Sequence, residues 1–451
     1  MFRGLSAGGA AKQATAPRDK AGRFVNWGRT VTSAPVRWHL PVSEDEVAAV
    51  VTRCGRDGRR LRVVGAGHSW SPIAEPVHEA MSLDGLQDAV SIDRERGEVT
   101  VPAGMRLVDV SARLARAGLA LPVVGSIQAQ SVAGAIATGT HGSSLTHGNL
   151  GTLVTGLRLV SGTGEVLTLR GDDERLAGAR VHLGALGVVT SVTLRTTAAR
   201  RLRQTIEHVP VTEVADALPA VATSAEWVKV WWLPHAPVAQ VVRYDVTTQE
   251  PTRRPTPATQ RWIDERVMHR FVFPAMVAAQ ARRPSITAPA NTRLARRYLG
   301  AGTQVGADML MLNTPMPLRH RETEAALPLT AAGGALKQVL AIFRDGRPAA
   351  NFPLEIRFVR GDDSWLSPAY GADTCQVGAY STDNRDCSAY FEAFWRVMRP
   401  AGARPHWGKE HDFEAAELRP LYPQWTAFAA LRDRCDPGRV FGSAAMERLL
   451  G

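Results

Sequence analysis

Three stretches of this 451-residue chain combine residue types and spacings that suit chemistry. The first is Leu61-Arg62-Val63-Val64-Gly65-Ala66-Gly67-His68-Ser69-Trp70-Ser71-Pro72, where strand-forming residues run into two glycines, a histidine and a serine. A turn so poor in side chains lets backbone N–H groups approach a phosphate closely, with His68 at its rim. A dinucleotide fingerprint fails here: Trp70 takes the third-glycine position, and Pro72 falls where the phosphate-binding helix would begin. Alone, the run also fits a plain tight turn. The second stretch is Leu354-Glu355-Ile356-Arg357-Phe358-Val359, whose alternation puts Glu355, Arg357 and Val359 on one strand face. A carboxylate beside a guanidinium in that arrangement forms an ion pair in most proteins. The third is the small-residue run Ser131 to Ser144, preceded by Gly125-Ser126-Ile127. It reads as a buried helix packed closely by small side chains.

The elements that would position these groups are of two kinds. Ser43 is a helix N-cap with Glu46 in the capping-box position, and Val47, Val50 and Val51 give the helix an apolar face that ends near Gly55 or Gly58. Strand Leu61 to Val64 follows, so the glycine turn leaves a strand's C-terminal end, where open α/β sheets bind ligands. Met81-Ser82-Leu83 and Gly97 to Val101 read as further strands, and Leu107, Val110, Leu114 and Leu119 as one side of a helix. Leu157 to Val160 and Glu165 to Leu169 flank Ser161-Gly162-Thr163-Gly164 as a hairpin, and Gly184 to Leu194 closes the first half. After about residue 200 the texture changes. Trp227 to Pro234 is an aromatic strand with Val238 to Tyr244 as its hairpin partner, and cross-strand packing accounts for the tryptophans without a ligand. A second, largely antiparallel domain begins there.

Near the C-terminus comes Arg404-Pro405-His406-Trp407-Gly408-Lys409. The ordered set of motifs resembles the FAD-linked oxidases of the vanillyl-alcohol oxidase superfamily. Within it, the sugar-1,4-lactone oxidases (arabinono-, gulono- and galactono-lactone) and the alditol oxidases are most similar. The resemblance covers nearly the whole chain from Asn26 onward and implies an α+β fold. Its parts are a two-subdomain FAD-binding domain over 23–200, an α+β cap domain on an antiparallel sheet over 201–403, and a segment 404–451 returning to the flavin site. Residues 1–22 are expected to be a disordered leader.

The same resemblance assigns roles. Gly65, Ala66, Gly67 and Ser69 cradle FAD, and His68 bonds covalently to the flavin 8-methyl carbon. Ser126, Ser131, Gly134, Ala135, Thr138 and Gly139 offer small surfaces against which the ring and pyrophosphate lie. Gly142, Ser143, Val189 and His141 complete the cofactor set, although His141 also reads as a satisfied structural histidine. In the cap, Glu355 hydrogen-bonds substrate hydroxyls, while Arg357 and Lys409 stabilise negative charge. No metal is expected. Alditol oxidases carry a serine at the position of Ala135, and His-x-Thr at Gly378-Ala379-Tyr380, so a lactone is the expected substrate and a polyol the alternative. The final acceptor is dioxygen, or else a cytochrome or quinone. A flavin-free binding protein on the same fold is the rival, and intact His68, Glu355, Arg357 and Lys409 speak against it.

Bulk properties agree with a globular enzyme: 45% hydrophobic and 22% charged residues, with no apolar run long enough to span a membrane. The formal net charge of +11 is local, because 251–300 holds ten arginines against Asp264 and Glu265. That stretch reads as a surface helix pair in the cap, or as a patch for a membrane surface or electron acceptor. No nucleic-acid module accompanies it, so nucleic-acid binding is not expected. The first twenty residues lack the apolar core of a secretory signal. Cys54, Cys375, Cys387 and Cys435 are too sparse for a disulfide framework, and a cytoplasmic location is expected.

Overall fold

The computed structural model describes residues 17–86, 89–252, 272–297, 301–313, 318–345, 348–382 and 387–451. Helix Glu44–Arg56 starts where Ser43 accepts a hydrogen bond from the Glu46 amide, with acids in its first turn and arginines in its last. Both biases suit the helix dipole. It buries Val47, Val51 and Cys54 near a small parallel sheet in which Arg37–His39 and Leu61–Val63 flank Glu79–Met81. Glu79 lies inside this layer, with Arg53 donating at 2.8 Å, Arg59 at 3.1 Å, and His39 at 2.6 Å. That ion cluster fixes the strand from which the glycine turn emerges.

A five-stranded antiparallel sheet completes this half, in the order Val166–Arg170, Val154–Val160, Val188–Arg195, Glu98–Pro102, Ser91–Asp93. Its first two strands are the expected hairpin, paired from Val166 opposite Val160. Three expectations need correction. Helix Leu107–Arg116 stops before Leu119, because Gly118 takes a φ of 72° and Leu119–Ala120 pairs as a strand with Thr197–Ala198. The strand at Met81 ends there, since the Ser82 side chain accepts from the Asp84 amide and turns the chain into a short helical turn. Only Val132–Ala137 of the small-residue run is helical; its remainder is loop.

The cap is an eight-stranded antiparallel sheet. From one edge it runs Gly302–Ala307, Arg201–Pro210, Val238–Val246, Trp227–Trp232, Leu354–Val359, Thr374–Ser381, Arg321–Pro328 and Arg404–Pro405. The aromatic strand and its hairpin partner sit as expected. Register then places Trp231 opposite Glu355, Glu355 opposite Gly378, and Tyr380 opposite Glu322, so polar groups from four neighbouring strands gather at the middle of the sheet. Within the basic stretch, residues 253–271 lie outside the described residues, and with them most of the membrane-surface reading. Helices Phe273–Arg282 and Thr287–Arg297 give the expected helix pair. No described helix is long and apolar enough to cross a membrane.

Segments from early and late in the described chain pack around the glycine turn. The expected leader is structured from Pro17: the Val25 amide donates to the Pro17 carbonyl at 3.0 Å, and a Cβ on Gly67 would stand 2.7 Å from the Pro17 ring. Gly67 itself has a φ of 68°, so this position requires glycine on two counts. At the other end the Trp70 amide donates to Gly408 at 2.7 Å and the Leu61 amide to Val440 at 2.8 Å. Arg62 ties these pieces together. Its buried guanidinium donates to the carbonyls of Ile73, Leu183, Gly184 and Phe441 at 2.6–3.2 Å. Burial pulls it down to about 10.

Arg62→Met removes these donors and leaves four carbonyls, most of them buried, short of partners. Each such loss costs about 1–3 kcal/mol before relaxation, so the variant should unfold at clearly lower denaturant or temperature than wild type. An unchanged melting midpoint would show that the clamp contributes nothing.

Candidate active site

The glycine turn opens a cleft with about 890 Å³ of space, part of it open to solvent. Gly65, Ala66, Gly67, His68, Ser69, Ser131, Gly134, Thr138 and Val189 line it, as the sequence implies. Backbone N–H groups of Gly65 to Ser69 donate to no group among the described residues, so five consecutive donors remain for an anion. The cleft also stays close to backbone: a Cβ on Gly65 would stand 2.3 Å from the Ser131 hydroxyl, and one on Gly104 2.3 Å from the Leu83 carbonyl. The ion pair of Asp84 and Arg106, 2.9 Å apart, lies on the same wall. A long ligand with a pyrophosphate and flat rings fits this donor set.

His68 stands where the cleft meets a second cavity of about 550 Å³. Its ring stacks on Trp27 at 5.7 Å, and its Nδ1 is buried without a hydrogen-bond partner among the described residues. Burial first, then Lys409 and Arg106, lower it to about 4, so the imidazole is neutral at physiological pH. The cleft therefore ends on a neutral ring whose buried nitrogen has no partner among the described residues.

The second cavity brings together His68, Ser69, Ser126, Thr138 and His141 with Glu355, Arg357 and Lys409. Glu355 is 1% exposed, and its two oxygens accept from the Trp231 indole and the Tyr380 hydroxyl, each at 2.9 Å. Burial, then Glu322 and Glu355, push the Tyr380 phenol well up, so it stays a donor. Arg357 reaches both oxygens of Glu324 at 3.1 Å, and His141 lies 2.8 Å from the same carboxylate. Burial would raise Glu324, but Arg357 and then His141 outweigh it and hold the carboxyl well below its usual range. Lys409 pairs with Glu322 and rides over the Trp70 ring at 4.3 Å. Burial raises Glu322 too, and Lys409 overrides it, leaving the group at about 2.

Local geometry explains why Lys409 arrives here. Trp407 is fully buried, its indole donating to Leu366 at 2.7 Å, and Gly408 turns back to donate to His406 at 3.0 Å. The Glu410 amide then donates to Glu322 at 2.9 Å, while Ser71 donates to the Trp407 carbonyl at 2.7 Å. The turn is therefore stitched to a cap strand on one side and to the glycine turn on the other. His141, Glu324 and His406 have metal-ligand atom types within 4.8 Å of one another. Glu324 is already engaged by a guanidinium, which makes this an ion network rather than a cation site.

Not every expected residue reaches these walls. Ala135 is turned into the core at 0% exposure, and Gly139 is a turn residue with a φ of 69°. Gly142 and Ser143 lie behind Arg357 on a smaller cavity, with Ser143 accepting from the Phe358 amide at 3.0 Å and so pinning the two halves together. Sequence reasoning passed over Glu322, Glu324, His406 and Trp231. Arg321-Glu322-Thr323-Glu324 carried a signal: two acids spaced by two run into Ala325-Ala326-Leu327, an acidic pair on one face of a strand with an apolar continuation.

Of the histidines lowered chiefly by desolvation, four stand furthest down: His68 and His182 at about 4, His406 and His411 at about 3. The unfolded chain protonates such rings near 6.5, so between there and pH 4 it binds more protons than the folded chain. Stability should be full above about pH 7 and fall as pH drops, by at most about 1.4 kcal/mol per pH unit for each ring. Thermal melts from pH 8 to pH 5 check this; a melting temperature that rises on acidification contradicts it.

Comparison with known proteins agrees with this geometry. Residues 37–170 match the FAD binding domain family, and residues 192–449 match the D-arabinono-1,4-lactone oxidase family. The chain is 35% identical to L-gulono-1,4-lactone dehydrogenase of Mycobacterium tuberculosis over 94% of its length and 98% of that protein. It is 29% identical to L-gulonolactone oxidase of Bos taurus over 95% of its length and 98% of the relative. In fold it resembles cholesterol oxidase from B. sterolicum, with a TM-score of 0.82 at 18% identity, covering 95% of this chain and 96% of that one. The protein is thus a flavoprotein of the vanillyl-alcohol oxidase type and belongs to the D-arabinono-1,4-lactone oxidase family.

Proposed function

We propose that the protein oxidises a secondary hydroxyl of a sugar 1,4-lactone of arabinono, gulono or galactono type, with FAD bonded covalently to His68. The observation that carries this reading is the single cavity where the His68 end of the FAD cleft meets Glu355, Arg357 and Lys409. When bound, FAD supplies a two-electron acceptor for the carbinol hydride. Glu355, fixed by Trp231 and Tyr380, orients a substrate hydroxyl. Arg357 and Lys409 stabilise negative charge developing on the substrate oxygen, in a pocket where water screens little. Burial of Arg357, Glu355 and Glu324 keeps this arrangement rigid, so little reorganisation is needed during reaction.

Tyr380 supports a lactone over an open polyol, because its ring lines the cavity at the position where the alditol pattern has a smaller residue. Ala135 does not bear on the choice, being turned into the core. Dioxygen is the proposed final acceptor, giving hydrogen peroxide, with a cytochrome or quinone as the alternative. The four cysteines are unpaired and buried, which fits a reducing cytoplasm.

Two experiments test this reading. Steady-state turnover with gulono-, galactono- and arabinono-1,4-lactones should exceed that with sorbitol or xylitol by tenfold or more in kcat/KM. Equal or better turnover of the polyols rejects the lactone assignment. On a denaturing gel the wild-type band should fluoresce as flavin, and His68→Ala should give a dark band while releasing its FAD on acid precipitation. The backbone cradle remains in that variant, so it should still take up some cofactor. A dark wild-type band from fully loaded enzyme removes the tether and leaves His68 a turn residue.

A further inference from the structure

The strand Arg321–Pro328 carries two acids, Glu322 and Glu324, each 1% exposed and two residues apart on one face. Their situations differ. Both oxygens of Glu324 are engaged by Arg357 at 3.1 Å, and His141 adds a contact at 2.8 Å. Both oxygens of Glu355 likewise have donors, from Trp231 and Tyr380. Glu322 uses one oxygen, Oε2, in its pair with Lys409, and His320 Nε2 stands 3.9 Å from that same oxygen. Its Oε1 is buried with no hydrogen-bond partner among the described residues. An ionised oxygen left without a donor in the interior is costly, and its persistence points to a donor supplied from outside the chain.

Position narrows what that donor is. Glu322 lines the same cavity as His68, Glu355 and Arg357. Glu322 pairs in register with Tyr380, whose hydroxyl donates to Glu355. The cavity therefore holds two carboxylate–cation stations, Glu355 with Arg357 and Glu322 with Lys409, joined by one tyrosine. A substrate with a single hydroxyl would satisfy one station and leave the other unfilled. A sugar 1,4-lactone presents its two ring hydroxyls on adjacent carbons, a spacing suited to both.

We infer that Glu322 is a substrate-binding residue whose free oxygen accepts a hydrogen bond from the hydroxyl neighbouring the one that is oxidised. This rests on the reaction proposed above and adds to it a requirement for a vicinal diol. The rival is that Glu322 only holds Lys409 in place, without touching substrate.

The test compares wild type and Glu322→Gln on a 1,4-lactone and on its monodeoxy analogue, which keeps the oxidised hydroxyl and lacks its neighbour. Gln preserves shape and offers a neutral amide to the cavity. The substitution should lower kcat/KM on the parent lactone about tenfold to a hundredfold, the scale of a charge-assisted hydrogen bond. Any effect of the substitution through Lys409 is common to both lactones, so the loss of kcat/KM on the deoxy analogue should be about tenfold smaller than on the parent, the share of one such bond. The wild-type preference for the parent should largely vanish in the variant. Equal losses on both lactones assign Glu322 to holding Lys409 and overturn the inference, as does no loss on either. Should the variant fail to load flavin, wild type alone decides: equal kcat/KM for the two lactones overturns it, and a tenfold preference for the parent supports it. Loaded wild-type enzyme that oxidises neither lactone refutes the underlying reaction, and this inference with it.

Discussion

Two buried carboxylates on one cap strand hold the site together. Glu324 grips Arg357 and His141, and Glu322 grips Lys409, each acid 1% exposed. Charges taken this far from water destabilise a fold unless they are paired, and removing one partner strands the other. The sheet register, the Trp407 turn and the 141–144 loop must all be in place for these pairs to close. In return, the network sets two cations at the His68 end of the FAD cleft and keeps them from drifting toward solvent.

The electrostatics follow from that arrangement. Both acids stay ionised despite burial because a cation touches each, whereas His68 stays neutral because burial and two nearby cations oppose a third positive charge. A neutral imidazole beside fixed cations suits a tether to an electron-poor ring, and fixed cations suit a hydroxyl becoming a carbonyl by hydride loss. The same charge distribution thus suits both the proposed tether and the proposed oxidation.

Much of this was legible in the sequence wherever the signal was local. Ser43 with Glu46 marked a helix start, the Ser161 to Gly164 turn marked a hairpin, and the glycine turn marked the anion cradle. Each depends on backbone chemistry within a few residues. Glu355 and Arg357 could be placed on one face by alternation, but their partners could not, because Trp231, Tyr380 and Glu324 come from other strands and meet them only through register. The tryptophans looked like packing residues, and Trp232 is one, its indole bonding the Ala236 carbonyl within the same hairpin. Trp231 instead spends its N–H on Glu355. Leu119 failed for a local reason: Gly118 at positive φ ends the helix, and an apolar residue beyond it keeps the pattern going on paper.

In this arrangement the cap cavity would deliver a lactone hydride to FAD at the His68 end of the cleft. The most direct measurement is anaerobic mixing of flavin-loaded wild-type protein with a sugar 1,4-lactone, following the yellow flavin absorbance. Complete bleaching is expected in a single-turnover phase whose rate saturates with lactone, independent of any electron acceptor. Absorbance that stays unchanged with gulono-, galactono- and arabinono-lactones alike, while dithionite bleaches the same sample, would contradict it.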